Sequence, residues 1–305
     1  MLGYAQMVQR SAINLAVSFE KINRSLIFEN KYKSLNYANK IFDLTHIPIN
    51  IENTSFKYSG EKYAIENVSL KIISGQIIAL CGENGSGKST IVKLILGLYK
   101  PTEGSVKIYG NEAYNISNNV IPDKIGVVFQ DFCVYPFTLR ENVGFGDIKN
   151  IESKDKILNA INKGDATDIL KQVGNLDAIL SRELDNNGHE LSGGQWQRLA
   201  LARAYMSEKD IMIFDEPAAK LDPIAELKQF ETIRESLKNK TAILISHRIG
   251  FARLADRIIV LKDGKIIEDG KHEDLLALDG EYKKMFDNQA KLYNLKDVEG
   301  VVYEH

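Results

Sequence analysis

The spacing of apolar residues changes character along the chain. From Tyr4 to about Asp43 there is neither glycine nor proline, and Leu15, Phe19, Ile22 and Leu26 recur at i, i+4, i+7 and i+11. That spacing draws an apolar stripe along one helical face, with Lys21, Arg24, Glu29, Lys31 and Lys33 around it. It predicts one or two long amphipathic helices ending before Pro48. The stripe serves a helix packed on its own domain and a helix facing a partner equally well. Beyond Pro48 come short β-rich segments, INIENTSFKYS and AIENVSLKI, with Ser59-Gly60 as a turn signal between them. Four compact apolar runs come next: Ile77–Cys81, Ile125–Phe129, Ile211–Phe214 and Ala242–Ile245. Uninterrupted runs of this length read as strands buried on both faces, as in a parallel sheet covered by helices. Residues 151–181 carry helical spacing broken at Gly164 and Gly174, which predicts an α-helical lobe over about 136–205.

Composition narrows the class without deciding it. The chain is 44% apolar and 26% charged, with 39 basic against 41 acidic residues and a formal charge of −2. This describes a globular chain, excludes fibrous and disordered classes, and gives no basic face for nucleic acid. Two cysteines, Cys81 and Cys133, are too few for a disulfide scaffold and favour a reduced compartment. No stretch approaches the roughly 18 uninterrupted apolar residues of a membrane-spanning helix. The start, MLGYAQMVQRSAINLAVSFEK, lacks the basic and compact apolar regions of a signal peptide.

Each buried run leads into a chemically capable segment: GENGSGKST, Gln130, Asp215-Glu216 and Ser246-His247. Ligands of open α/β sheets bind just beyond the carboxyl ends of the strands, so these four segments are expected to share one site. Gly82-Glu-Asn-Gly-Ser-Gly87-Lys88-Ser89 fits G-x-x-x-x-G-K-[ST]. Its glycines let successive N–H groups point at phosphate oxygens, and the adjoining helix adds its positive end. Lys88 can reach the β- and γ-phosphates and Ser89 can ligate Mg²⁺. Asp215 offers a hard oxygen ligand to the same ion, and Glu216 is placed to polarise an attacking water as general base. Leu191-Ser192-Gly193-Gly194-Gln195 leads into WQRLALARA, where Ser192 fits an N-cap and the paired glycines allow close approach of a ligand.

The set GENGSGKST, LSGGQ, IMIFDEP and ISHR, in this order, resembles the nucleotide-binding domain of an ATP-binding cassette (ABC) ATPase over roughly 49–290. The resemblance implies a P-loop NTPase (RecA-like) α/β core with an antiparallel β subdomain and an inserted α-helical subdomain. It implies ATP and Mg²⁺ as ligands, with contacts from Gly82, Glu83, Asn84, Gly85, Ser86, Gly87, Lys88, Ser89 and Thr90. Tyr58 resembles the aromatic that stacks on adenine. Gln130 resembles the glutamine that senses Mg²⁺ and attacking water and faces the membrane domain. Asp222 resembles the aspartate that communicates between two sites, and His247 the histidine near the γ-phosphate. Ser192, Gly193, Gly194 and Gln195 resemble the signature that meets a partner's ATP. Ala218-Ala219-Lys220 and Trp196 depart from the usual family residues without removing a catalytic group.

Phe137-Thr-Leu-Arg-Glu-Asn142 with GFGD after it, and the tail GKHEDLLALDGEYKKMF, are similar to exporter-type cassettes. Residues 1–47 resemble the end of an exporter membrane domain and its linker, 48–290 the ATPase domain, and 291–305 a tail. The whole resembles the ATPase part of permease–ATPase fusions of peptide and lantibiotic-type export, either a truncated exporter half or a separately encoded subunit. The implied partners are a second ABC ATPase domain and transporter membrane domains, at the cytoplasmic face of a bacterial plasma membrane, with no nucleic acid. A non-transport ABC ATPase acting on nucleic acid or ribosomes is the alternative. Against it, Ser89 to Ser192 spans only 103 residues without sustained heptads, and the chain holds one cassette. A binding-only regulatory cassette is disfavoured by Glu216 and LSGGQ.

Overall fold

Burial alternates along some strands and is continuous along others, and that difference sorts them into two sheets. A computed structural model describes residues 47–116, 121–182, 186–217, 223–237, 240–246, 249–253 and 255–293. In β2 (Ile65–Ile72) every apolar residue is buried and the polar ones between them face outward. It pairs with β1 (Ile49–Phe56), which pairs in turn with β4 (Glu103–Ile108) and through it with β5 (Asn111–Glu112), all antiparallel. A one-sided antiparallel sheet needs only one apolar face, hence the period of two.

The second sheet has the order β10-β9-β3-β8-β7-β6. Its strands β3 (Ile77–Cys81), β6 (Ile125–Val128), β7 (Ile211–Asp215), β8 (Thr241–Ile245) and β9 (Arg257–Lys262) run parallel, and β10 (Lys265–Gly270) closes the edge antiparallel. Every residue of β7 and β8 is buried, as expected of strands covered on both faces. The apolar runs read from sequence are these strands, with small shifts at their ends. Phe129 lies beyond β6 and is exposed, whereas Asp215 is still within β7.

The described helices are α1 (Lys88–Ile95), α2 (Ala113–Ile116), α3 (Ile121–Lys124), α4 (Leu139–Gly144), α5 (Lys154–Lys163), α6 (Thr167–Val173), α7 (Gly193–Met206), α8 (Pro223–Ser236), α9 (Ile249–Ala252), α10 (His272–Ala277) and α11 (Glu281–Tyr293). Gly164 and Gly174 cap the ends of α5 and α6, where the periodicity breaks. Helix α7 is buried along most of its length because it is packed on two sides. Its Ala200, Leu201, Ala204 and Tyr205 join Val128, Phe214 and Leu244 against the sheet. Its Trp196, Leu199, Ala202 and Met206 join Leu139, Ile157 and Ile169 of α4–α6. On another face of the sheet, Ala252, Leu275 and Tyr282 of α9–α11 cover Ala79, Cys81 and Val260.

This is the α/β P-loop NTPase architecture that the motifs implied: a parallel core sheet, an antiparallel sheet, and helices α4–α7 between β6 and β7. The amphipathic helices expected before Pro48 lie outside the described residues. Helix α11 continues through residue 290, where the expected boundary of the tail fell. No helix among the described residues is long and apolar enough to cross a membrane.

Candidate functional site

Strand register gathers the site. Ala79 of β3, Leu244 of β8, Phe214 of β7 and Val128 of β6 lie on one rung. The segments a few residues further on, Gly82–Thr90, Ser246, Asp215-Glu216 and Gln130, therefore emerge along one edge of the sheet. Tyr58 joins them through Thr90.

Between β3 and α1 the chain turns through Gly82, Gly85 and Gly87, each at positive φ (144°, 81° and 108°). A Cβ on Gly82 would sit 2.3 Å from the Leu261 carbonyl oxygen, and one on Gly87 2.7 Å from Ile65 Cδ1 and 2.9 Å from the Ala64 carbonyl oxygen. Gly85 faces open space. The loop is further tied down by Gly264, which donates to the Ser86 carbonyl at 3.1 Å and accepts from the Glu66 N–H at 2.9 Å. Lys88 is buried, and its Nζ donates to the carbonyls of Gly82 (2.7 Å) and Glu83 (2.9 Å), with Ser86 Oγ at 3.5 Å. Burial pulls the Lys88 ammonium below its ordinary pKa, and the Glu216 and Asp215 carboxylates pull it back up. Among the described residues no side chain caps the N-terminus of α1 at Gly87, so its first amides remain available to an anion.

Ser89 Oγ donates to Asp215 Oδ2 at 3.4 Å. Asp215 is buried, and burial together with the neighbouring Glu216 carboxylate raises its pKa, against Ser89, Lys88 and Lys93. A hydroxyl beside a desolvated, under-compensated carboxylate is an all-oxygen donor set, and it fits a hard divalent cation. Glu216 comes directly after, half-buried, with its backbone left-handed at φ 51°. Its N–H donates to the Ile245 carbonyl at 2.9 Å. Gln130 is exposed, two residues past the Val128 end of β6, which pairs with Phe214 of β7.

Tyr58 is 48% exposed beside α1, its hydroxyl 3.1 Å from Thr90 Oγ1. Its ring meets Phe56 and Tyr99 edge-on, at 4.9 and 5.2 Å between centroids, and Lys93 Nζ lies 5.5 Å away. Glu83 and Asn84 are exposed at the tip of the loop. Ser192 is the N-cap of α7 in a capping box with Gln195, whose Nε2 donates to Gln172 on α6 at 2.7 Å. The described hydrogen bonds of Ser192 and Gln195 thus stay within the helical lobe, away from their own chain's phosphate loop. Asp222 and His247 lie outside the described residues.

Two features were missed in the sequence. Gln197 on α7 is buried and donates to the Glu216 carbonyl at 3.4 Å; nothing in the sequence sets it apart from Gln195, Arg198 and Arg203 on the same helix. A cavity of about 380 Å³ opens beside β6, lined by Val127, Phe129, Phe132, Tyr135, Ala200 and Arg203 among others. Arg203 closes one wall: Nε and Nη2 donate to Asn142 O and Oδ1 (2.8 and 3.2 Å), Nη1 to Cys133 O (3.1 Å), and the guanidinium lies 4.6 Å from the Tyr135 ring centre.

With this geometry in place, comparison decides the family. The ABC transporter family profile matches residues 65–219, half of the chain. The chain belongs to the ABC transporter family. This ABC protein is 36% identical over 303 residues to the subtilin transport ATP-binding protein SpaT of Bacillus subtilis, covering 95% of the chain and 49% of that protein. It is 34% identical over 292 residues to the nisin transport ATP-binding protein NisT of Lactococcus lactis, covering 94% and 47%. The chain spans about half the length of the curated relatives it matches. A solved structure, of a bacterial Atm1-family ABC exporter with ATP bound, superposes with a TM-score of 0.72 at 28% identity, over 90% of this chain and 49% of the other.

Proposed function

We propose that this ABC protein is the Mg²⁺-dependent ATPase part of an exporter, working as a dimer of ATPase domains coupled to membrane domains. The observation that carries the reading is the convergence of the Lys88 loop with the Ser89–Asp215 pair and Glu216 at one sheet edge. Tyr58 offers a half-exposed ring to adenine. The loop amides, the uncapped end of α1 and Lys88 bind the polyphosphate, Lys88 exchanging its carbonyl partners for phosphate oxygens. Ser89, Asp215 and Gln130 hold Mg²⁺, which when bound offsets phosphate charge. Glu216 takes a proton from the attacking water, and His247 stands by the γ-phosphate. Ser192–Gln195 face the ATP of the partner domain, which accords with the exposure of Ser192 and Gly193 and with described hydrogen bonds that stay within the helical lobe; Asp222 links the two sites.

The groove beside β6, next to Gln130, receives the membrane domain at the cytoplasmic face of a bacterial membrane. Residues 1–47 act as the linker from that domain, and 48–290 as the cassette. The likeness to the subtilin and nisin transport proteins favours cargo of that class.

Two pairs of variants test the reading. Lys88→Ala should abolish binding of a fluorescent ATP analogue, whereas Glu216→Gln should keep binding and lose at least about 10²-fold in turnover. Near-normal phosphate release by Glu216→Gln would remove it from the role of base. Gly193→Asp should bind the analogue normally in dilute protein yet fail to dimerise with ATP, because a carboxylate would face the partner's phosphates. Should it lose affinity as badly as Lys88→Ala, the signature contacts its own chain's nucleotide and the composite dimer is wrong.

A further inference from the structure

The left-handed backbone of Glu216 is held from two sides. Its N–H donates to Ile245, continuing the β7–β8 ladder, and its carbonyl accepts from Gln197 Nε2 at 3.4 Å. Gln197 is only 2% exposed, and among the described residues its Oε1 has no hydrogen-bond partner. A buried amide with one unpaired oxygen is unfavourable, and for folding alone an apolar side chain of similar shape would serve better. Trp196, Leu199, Ala200 and Leu201 around it are of that kind. The one described bond that the Gln197 side chain makes reaches the peptide of Glu216. Helix α7 also begins next to Ser192, five positions earlier, so this bond joins the signature end of the helix to the end of β7.

We infer that Gln197 is a positioning residue for hydrolysis: its side-chain amide holds the Glu216 peptide in the left-handed conformation and so aims the Glu216 carboxylate. The inference rests on the reading of Glu216 as general base. A left-handed backbone is uncommon for a glutamate and relaxes unless its surroundings hold it. Without the amide donor the peptide keeps its tie to Ile245 but loses the Gln197 bond to its carbonyl, and rotation of the backbone carries the carboxylate off its line. Gln197 makes no described contact with the phosphate loop or Tyr58, so the loss falls on turnover and not on affinity.

Gln197→Met in the full chain tests this, because it keeps length and packing while removing both the donor and the unpaired oxygen. The expected result is a fall in kcat of about ten- to a hundredfold, with KM for ATP and analogue affinity within about twofold of wild type. The melting temperature should be unchanged or higher. Gln197→Leu serves as the second variant where Met fails to fold, and failure of both to fold assigns the residue a structural role and overturns the inference. Wild-type kcat in a folded variant, or a parallel loss of analogue affinity, overturns it as well. Glu216→Gln measured alongside separates the two readings. If it hydrolyses ATP at the wild-type rate, the general-base assignment fails. If it is inactive while Gln197→Met retains wild-type kcat, the positioning role alone fails.

Discussion

Replacing Gly87 by alanine probes how the antiparallel sheet shapes the phosphate loop. Gly87 sits at φ 108°, where an L side chain is strained by about 1–3 kcal/mol. A Cβ there also meets Ile65 Cδ1 at 2.7 Å and the Ala64 carbonyl oxygen at 2.9 Å. Ile65 is fully buried and cannot swing its methyl into solvent, and the carbonyl is backbone. Crowding of this kind costs a further ~1–3 kcal/mol. Gly85 is the control, since it shares the positive φ (81°) but a Cβ on it would have nothing within 4 Å. Gly85→Ala should therefore show the backbone cost alone, and Gly87→Ala should be less stable than it by about 1–3 kcal/mol. Urea denaturation of the full-length chains measures the difference, with equal slopes required so that midpoints compare directly. Gly87→Ala should in addition weaken the fluorescent ATP analogue more than Gly85→Ala does, because the strain is relieved by pushing the loop off β2. Equal midpoints and equal affinities for the two variants would refute the idea that Ala64 and Ile65 set the loop's shape.

Asp215→Asn should raise the stability of the nucleotide-free protein at neutral pH. The folded pKa of Asp215 lies above its ordinary 3.8, so the ionised carboxylate is a cost, complete above the folded pKa and absent below 3.8. The gain should shrink as pH falls toward about 4, and thermal melts of both proteins across that range check it; a gain that grows on acidification would contradict the cause given. Gln229 on α8 is buried with neither amide atom partnered among the described residues, so Gln229→Leu should stabilise the fold by about 1–3 kcal/mol, and a lower urea midpoint would show that the amide is satisfied in solution.

Much of the local structure was legible because its causes are local. Runs such as Ile211–Phe214 and Ala242–Ile245 have no polar residue to turn outward, so only strands buried on both faces suit them. Gly164 and Gly174 end helices through their own backbone freedom, and Ser192 caps α7 with a partner three residues away. The phosphate loop is a short contiguous segment, so its residue types alone declare its chemistry. Strand order and register are different, because they depend on which distant segments meet. The sequence placed capable groups after four apolar runs, but only the register of β3, β8, β7 and β6 brings Lys88, Asp215 and Glu216 to one edge. The Gly264 tie on Ser86, the cradle of Gly87 against Ala64 and Ile65, the grip of Arg203 on Asn142 and Cys133, and the bond from Gln197 to Glu216 each join segments remote in the chain. No spacing rule reaches across such distances. Periodicity reports what a residue's immediate neighbours require, whereas the direction of a buried amide or the strain of a left-handed glutamate is decided by packing that exists only once the sheets and helices have closed on each other.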